Sequence, residues 1–237
     1  MKMIASSVTT ATDDDWSALI AEWLAGLYLR PLTIEAVRSL RDGLGASFLN
    51  ALAFQPECGV GAMRMRAILR TGDDPYEVER RLSIEFSLLF DGVGGPRTVS
   101  PYESAYSSPS SRILQGPTSE MNELLRHANA SIHRSSNEPA DHLSIELALL
   151  ARMMREGASN RDQATLLDYH LLAFTPIFAA RCSDVDRTGF YASAADLMIS
   201  FLHARRQALL GPRRHSKLPI ARSEFKDAPS VDKGAAA

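Results

Sequence analysis

Glu138-Pro139-Ala140-Asp141-His142-Leu143-Ser144-Ile145-Glu146-Leu147 is the stretch on which the fold turns. Behind its proline and acids, Leu143, Leu147, Leu150 and Met154 recur at spacings of three and four. That period places side chains on one face of an α-helix. Pro139 suits a first helical turn, where its missing N–H is no loss, and Glu138 and Asp141 suit the positive end of the helix dipole. The pattern predicts a helix over residues 139–156.

Outward from this stretch the same period recurs. Thr12 and Asp15 resemble a capping box and lead into Trp16, Leu19, Ile20, Trp23, Leu24 and Leu27, until Pro31 stops the helix. Thr33 opens a second helix through Leu40. A third segment carries Phe48, Leu49, Leu52 and Phe54, and a fourth runs over residues 61–69. Asp74 as cap and Pro75 at the first helical position open a fifth, with Val78, Leu82, Phe86, Leu89 and Phe90 on one face. Beyond residues 91–111, helices are predicted over 117–130, 160–174 and 189–210, with Pro176 restarting a short one. No segment shows the period-2 alternation of a half-buried strand. The expected fold is therefore all-α, a compact multi-helix bundle in two helical parts joined by a long Gly/Pro loop. The expected boundaries are a flexible N-terminus at 1–11, a helical domain at 12–210 and a disordered tail at 211–237, its start made basic by Arg213, Arg214 and Lys217.

Composition narrows the function. Of 237 residues, 45% are apolar and 23% charged, ordinary values for a chain with a real core. A formal net charge of -2 argues against a nucleic-acid partner. Cys58 and Cys182 show no metal or disulfide spacing and read as reduced thiols. The first residues lack the apolar run of a signal peptide, and no stretch reaches the roughly 20 apolar residues of a membrane span. A cytoplasmic, soluble protein is expected.

Two features could carry chemistry. The first is the loop: Gly94-Gly95-Pro96 permits a sharp turn and Pro101 presets an extended entry into Tyr102-Glu103-Ser104. It is no phosphate-binding loop, since no Gly-Lys-Ser/Thr follows and no strand precedes. Its alternative to plain connection is to present Tyr102 as an aromatic platform and Glu103 as an acceptor for a guanidinium. The second is the helix start, where His142 and Glu146 share a face. The remaining histidines lack metal spacing, and no nucleophile motif accompanies His142, so neither a metal site nor catalysis is expected.

Together these features resemble the TorD/DmsD family of redox-enzyme maturation chaperones. The resemblance rests on Leu89-Phe90, Gly94-Gly95-Pro96 and Pro101-Tyr102-Glu103-Ser104-Ala105-Tyr106, then Glu138 through Leu147 about thirty residues later. His170-Leu171-Leu172, Pro176-Ile177-Phe178 and Phe190-Tyr191 follow in the family's order. It covers roughly residues 15–210. It implies a cytoplasmic chaperone that binds an apo-molybdoenzyme and its twin-arginine signal peptide, assists cofactor insertion and delays export. It places client binding on Tyr102, Glu103, Ser104, Glu138, Asp141, His142 and Glu146, supported by Gly94, Gly95, Pro96 and Pro101. Glu103, Glu138 and Asp141 would take the two guanidinium groups, and a groove beside Leu82 and Phe86 the apolar segment. Two alternatives remain: an assembly chaperone of the NarJ kind for a membrane-bound nitrate reductase subunit, and a guanine-nucleotide hydrolase, weak guanine nucleotide binding being reported in the family. Monomer and domain-swapped dimer are both compatible with a long hinge loop.

Overall fold

The computed structural model describes residues 13–72, 74–107, 116–132 and 137–211. The Thr12 cap, the N-terminal segment and the tail from residue 212 lie outside them. Local signals set the first helices. α1 (Asp13–Leu29) ends before Pro31, and α2 (Ile34–Asp42) is capped by the Thr33 hydroxyl, which accepts from the Ala36 N–H at 3.3 Å. After α3 (Leu44–Ala53) and α4 (Gly59–Leu69), Asp74 caps α5 (Pro75–Phe90) by accepting from the Tyr76 N–H at 2.9 Å, with Pro75 in the first turn. There follow α6 (Ser104–Ser107), α7 (Gly116–His127), α8 (Leu143–Arg155), α9 (Asn160–Leu166), α10 (Leu172–Val185) and α11 (Phe190–Leu209). Among the described residues there is no strand, only an isolated antiparallel bridge between Tyr102 and His142. No described helix is long and apolar enough to cross a membrane.

Helices from before and after the loop share one core. α1 lies along α8, where Arg155 pairs with Glu22, and α11 lies against α4 and α10. The α4–α11 approach depends on Gly61, where a Cβ would stand 2.7 Å from Leu197 Cβ and from the Ser193 carbonyl oxygen. Beneath the loop, Tyr28, Phe86, Phe90, Phe178 and Tyr191 form an aromatic cluster with ring centroids 5.1–5.9 Å apart, mostly edge to face. Such pairs add to their burial because ring edges and faces carry opposite partial charge. Cys58 and Cys182 are both free and buried.

The structure corrects three expectations. Helix α8 begins at Leu143, not at Pro139: the Pro139 carbonyl accepts from the His142 N–H at 3.1 Å in a tight turn, and the His142 ring caps the helix. Pro176 does not restart a helix but lies inside α10. A π-helical turn, Leu167–Leu171, joins α9 to α10 just before it, the kind of widened turn that interrupts helices at special positions. The long loop is also less structureless than its composition suggests, since Gly95–Arg97 form a 3₁₀ turn and Ser104–Ser107 a helical turn. Arg97 explains this order. Its guanidinium pairs with buried Glu85 and donates to the Val185 carbonyl at 3.0 Å, tying the loop to α5 and to the end of α10.

Gly61→Ala is expected to lose about 1–2 kcal/mol of stability by urea denaturation. Overpacking against Leu197 costs about 1–3 kcal/mol and outweighs the helix propensity gained, roughly 1 kcal/mol. A variant as stable as wild type would show that α4 and α11 slide apart freely.

Candidate functional site

The loop and the start of α8 meet edge to edge. Within the bridge, Leu143 N–H donates to the Pro101 carbonyl at 2.8 Å and Glu103 N–H to the Asp141 carbonyl at 3.0 Å. Pro101 is buried by this contact. The turn at the loop's other end closes on α5: a Cβ on Gly94 would stand 1.9 Å from the Leu88 carbonyl oxygen, so only glycine fits. Gly95, at φ 59°, turns the chain outward with Pro96 exposed, and Val99 N–H then bonds the Leu89 carbonyl at 2.7 Å. Thus Gly94, Gly95 and Pro96 shape the turn at the far end of the loop, while Pro101 lines the same cleft as Tyr102, Glu138 and His142.

Tyr102, Glu103, Ser104, Glu138, Asp141, His142 and Glu146 do come together, but in two layers. The inner layer is buried. Asp141, with no exposed surface, accepts from the Ser104 N–H at 3.1 Å and from the Thr118 hydroxyl at 2.7 Å. Glu103 is held by His170, whose Nδ1 donates to Oε2 at 2.9 Å across the π turn. Glu146 is fully buried, and neither carboxyl oxygen has a hydrogen-bond partner among the described residues. Desolvation first, then the neighbouring Glu103 and Asp141 carboxylates, push its pKa well above the ordinary carboxylate value. The expectation that Glu103 and Asp141 meet a guanidinium directly therefore faces a physical obstacle. Both are turned inward and committed to internal partners.

The outer layer faces an open cleft. His142 is mostly buried, and desolvation lowers its pKa against the opposing pull of Glu138 and Asp141. The neutral ring accepts from the Ser144 N–H at 3.1 Å and stands edge to face with Tyr102 at 5.0 Å. The Tyr102 hydroxyl donates to Glu138 Oε2 at 2.6 Å, and burial followed by Glu138 pushes its pKa far up. These three side chains form one wall of a cleft of about 750 Å³. Phe86 and Phe90 lie at its floor, Leu29 and Ile177 at its edge, and Asp91 and Arg181 carry further charge on the rim. Leu82, expected beside the groove, is core instead, its carbonyl accepting from the Tyr191 hydroxyl.

Sequence reasoning missed two groups in this cleft. Tyr28, on α1 and 1% exposed, lines it, and so does Thr98; both hydroxyls are buried without a hydrogen-bond partner among the described residues. Burial pushes the Tyr28 pKa well up, so it remains a hydroxyl. A buried hydroxyl without a partner costs free energy, about 1–3 kcal/mol. Nothing in the local sequence marked Tyr28, which reads as one more apolar position of an amphipathic helix. No group of His, Cys, Asp and Glu among the described residues could hold a metal ion.

Comparison with known proteins gives this geometry a context. The nitrate reductase delta subunit family model matches residues 56–180. The chain is 30% identical over 190 residues to the chaperone protein TorD of Aliivibrio fischeri, covering 76% of this chain and 88% of that one. It is 28% identical over 194 residues to TorD of Salmonella bongori (81% and 89% covered) and 26% identical over 200 residues to TorD of Photobacterium profundum (80% and 92%). The family-model match contains the loop, α8 and the Tyr102, Glu138 and His142 wall of the cleft, but not Tyr28 or Leu29 on α1.

Two variants check the inner layer. Asp141→Ala strands the Ser104 N–H and the Thr118 hydroxyl and is expected to cost about 3 kcal/mol in urea denaturation; a loss under half that would mean the loop is held elsewhere. Glu146 has a folded pKa above its unfolded value. Its contribution is thus full below about pH 4.5 and is lost as pH rises toward the folded pKa. Glu146→Gln, neutral at every pH, should raise Tm over wild type at about pH 8, with the gap closing near pH 4. A gap independent of pH would show that Glu146 ionises without penalty.

Proposed function

We propose, from the premise that this chain belongs to the TorD-type chaperone family of nitrate reductase delta subunits, that it is a cytoplasmic maturation chaperone for an apo-molybdoenzyme. On this reading it holds the precursor's twin-arginine signal peptide in the cleft between the loop and α8, and so delays export until the cofactor is inserted. The observation that carries the reading is the pair of buried hydroxyls, Tyr28 and Thr98, on the wall of an open cleft with an aromatic floor. A peptide main chain supplies the donors and acceptors such groups need. An arginine pair followed by an apolar run fits the remainder. Guanidinium groups make short, often bidentate hydrogen bonds to carboxylates, here Glu138 and Asp91 on the rim. The apolar run lies over Phe90, Leu29 and Ile177, as in other grooves that take an apolar peptide face.

The client-binding set proposed from sequence then divides by role. Tyr102, Glu138 and His142 face the peptide, while Glu103, Ser104, Asp141 and Glu146 hold the wall in shape from behind. The family's description as a nitrate reductase delta subunit supports a second reading, in which the cleft takes the N-terminal segment of a nitrate reductase catalytic subunit without a cleaved leader.

Calorimetry with a synthetic twin-arginine leader peptide tests the first reading. Asp91→Asn with Glu138→Gln should weaken binding about tenfold, the loss of roughly 1.4 kcal/mol of charge-assisted bonding. Tyr28→Phe should weaken it several-fold while leaving Tm unchanged or higher, since it removes a group without a partner. A leader with Lys-Lys in place of Arg-Arg should bind less tightly than the Arg-Arg peptide. Equal affinities across these variants would move the peptide site elsewhere. Tighter binding of a nitrate reductase N-terminal peptide than of any twin-arginine leader would favour the second reading.

A further inference from the structure

The first eleven residues beyond the described ones, Pro212-Arg213-Arg214-His215-Ser216-Lys217-Leu218-Pro219-Ile220-Ala221-Arg222, carry four Lys/Arg and no acid. They also repeat the chemical order just argued for the cleft's ligand: two adjacent arginines, then a short apolar run of Leu218, Ile220 and Ala221. We propose that this tail is an internal mimic of the client peptide and occupies the cleft of a second copy of the chain, so that self-association and client binding exclude each other. The inference rests on the function proposed above for the same cleft.

Complementarity is the first support. Among the described residues the cleft carries Asp91, Glu138 and Arg181 at its rim, the Arg181 guanidinium being directed at the Thr98 carbonyl at 3.4 Å. His142 beside them is neutral, its pKa lowered by burial. Floor and edge are aromatic and aliphatic, and the Tyr28 and Thr98 hydroxyls have no hydrogen-bond partner among the described residues. An arginine pair trailing apolar residues answers each of these features.

Reach decides between the chain's own tail and a neighbour's. The cleft lies at the start of α11, where Tyr191 packs on Phe86 and Phe90 with ring centroids 5.8 and 5.4 Å away. The tail leaves from the other end of α11, where Asn160 bonds the Leu209 carbonyl and Arg205 pairs with Asp14. α1 confirms the separation: Asp14 is in its first turn, while Tyr28 and Leu29 at its end line the cleft. The twenty residues of α11 span about 29 Å at 1.5 Å per residue. Arg213 follows Leu209 by four residues, a reach of at most about 14 Å fully extended. The arginine pair therefore cannot reach its own cleft, whereas a second molecule's cleft has no such limit. Reciprocal exchange of two tails closes the assembly as a two-fold pair.

Sedimentation velocity on the full chain, from low to high micromolar concentration, tests the proposal. Wild type should shift toward a dimer as concentration rises. Arg213→Gln with Arg214→Gln should remain monomeric, Glu138→Gln should associate less, and saturating twin-arginine leader peptide should return wild type to monomer. In calorimetry the leader's apparent affinity should fall several-fold with rising wild-type concentration and stay constant for the double arginine variant. A wild type that stays monomeric, a double variant that associates like wild type, or a dimer that survives saturating leader would each overturn the proposal. Failure of the double variant, whose cleft no tail contests, to bind the leader at all would instead overturn the proposed function.

Discussion

The carboxylate of Asp141 sits where water does not reach, and each of its oxygens is claimed by a different segment of the chain. One accepts the N–H that opens α6, and the other accepts the Thr118 hydroxyl on α7. Its own backbone carbonyl takes the Glu103 N–H from the loop, and two residues on, α8 begins. A charge in that position is tolerable only if fully bonded, because transfer from water to the interior without partners costs several kcal/mol. Four elements are thereby obliged to meet at one residue. The edge-to-edge contact of loop and helix start, the orientation of Tyr102 and the shape of the cleft wall all follow from that obligation.

Behind this point lies a layer of buried acids. Glu103 is matched by His170, delivered from a π turn that departs from regular helix where such departures often accompany function. Glu146 is wholly buried, and desolvation pushes its pKa well above the ordinary carboxylate value. On the solvent side the arrangement differs: Tyr102, Glu138 and the edge of His142 stand over an aromatic floor fixed by mutual packing of Tyr28, Phe86, Phe90, Phe178 and Tyr191. A rigid floor with a polar wall suits the capture of an extended peptide, since little ordering cost falls on the protein when the ligand arrives.

Helix identity was legible wherever the signal is local. The Thr33 and Asp74-Pro75 caps acted as their chemistry predicts, because a cap involves groups two or three residues apart. The Glu138–Glu146 stretch and the loop were recognisable as partners through resemblance, and the structure does bring them into contact. Less legible were features decided by distant groups. Pro139 looks like a first-turn proline, yet the helix starts four residues later because the backbone of Asp141 and Leu143 is taken by the loop. The order of the Gly/Pro loop depends on Arg97 finding Glu85 and Val185, and no spacing rule pairs them.

The sequence by itself determined that the chain is helical and where most helices begin and end, because periodicity, caps and turn residues act within a few residues of one another. Only the tertiary structure decided which charges face inward and which face an open cleft. Glu103 and Glu138 are the same residue type beside the same loop, yet one is buried against His170 and the other lines a cleft. Burial is a property of everything packed around a side chain, and that is assembled from helices far apart in sequence. For the same reason Tyr28, an unremarkable position of α1, emerged as part of the cleft wall.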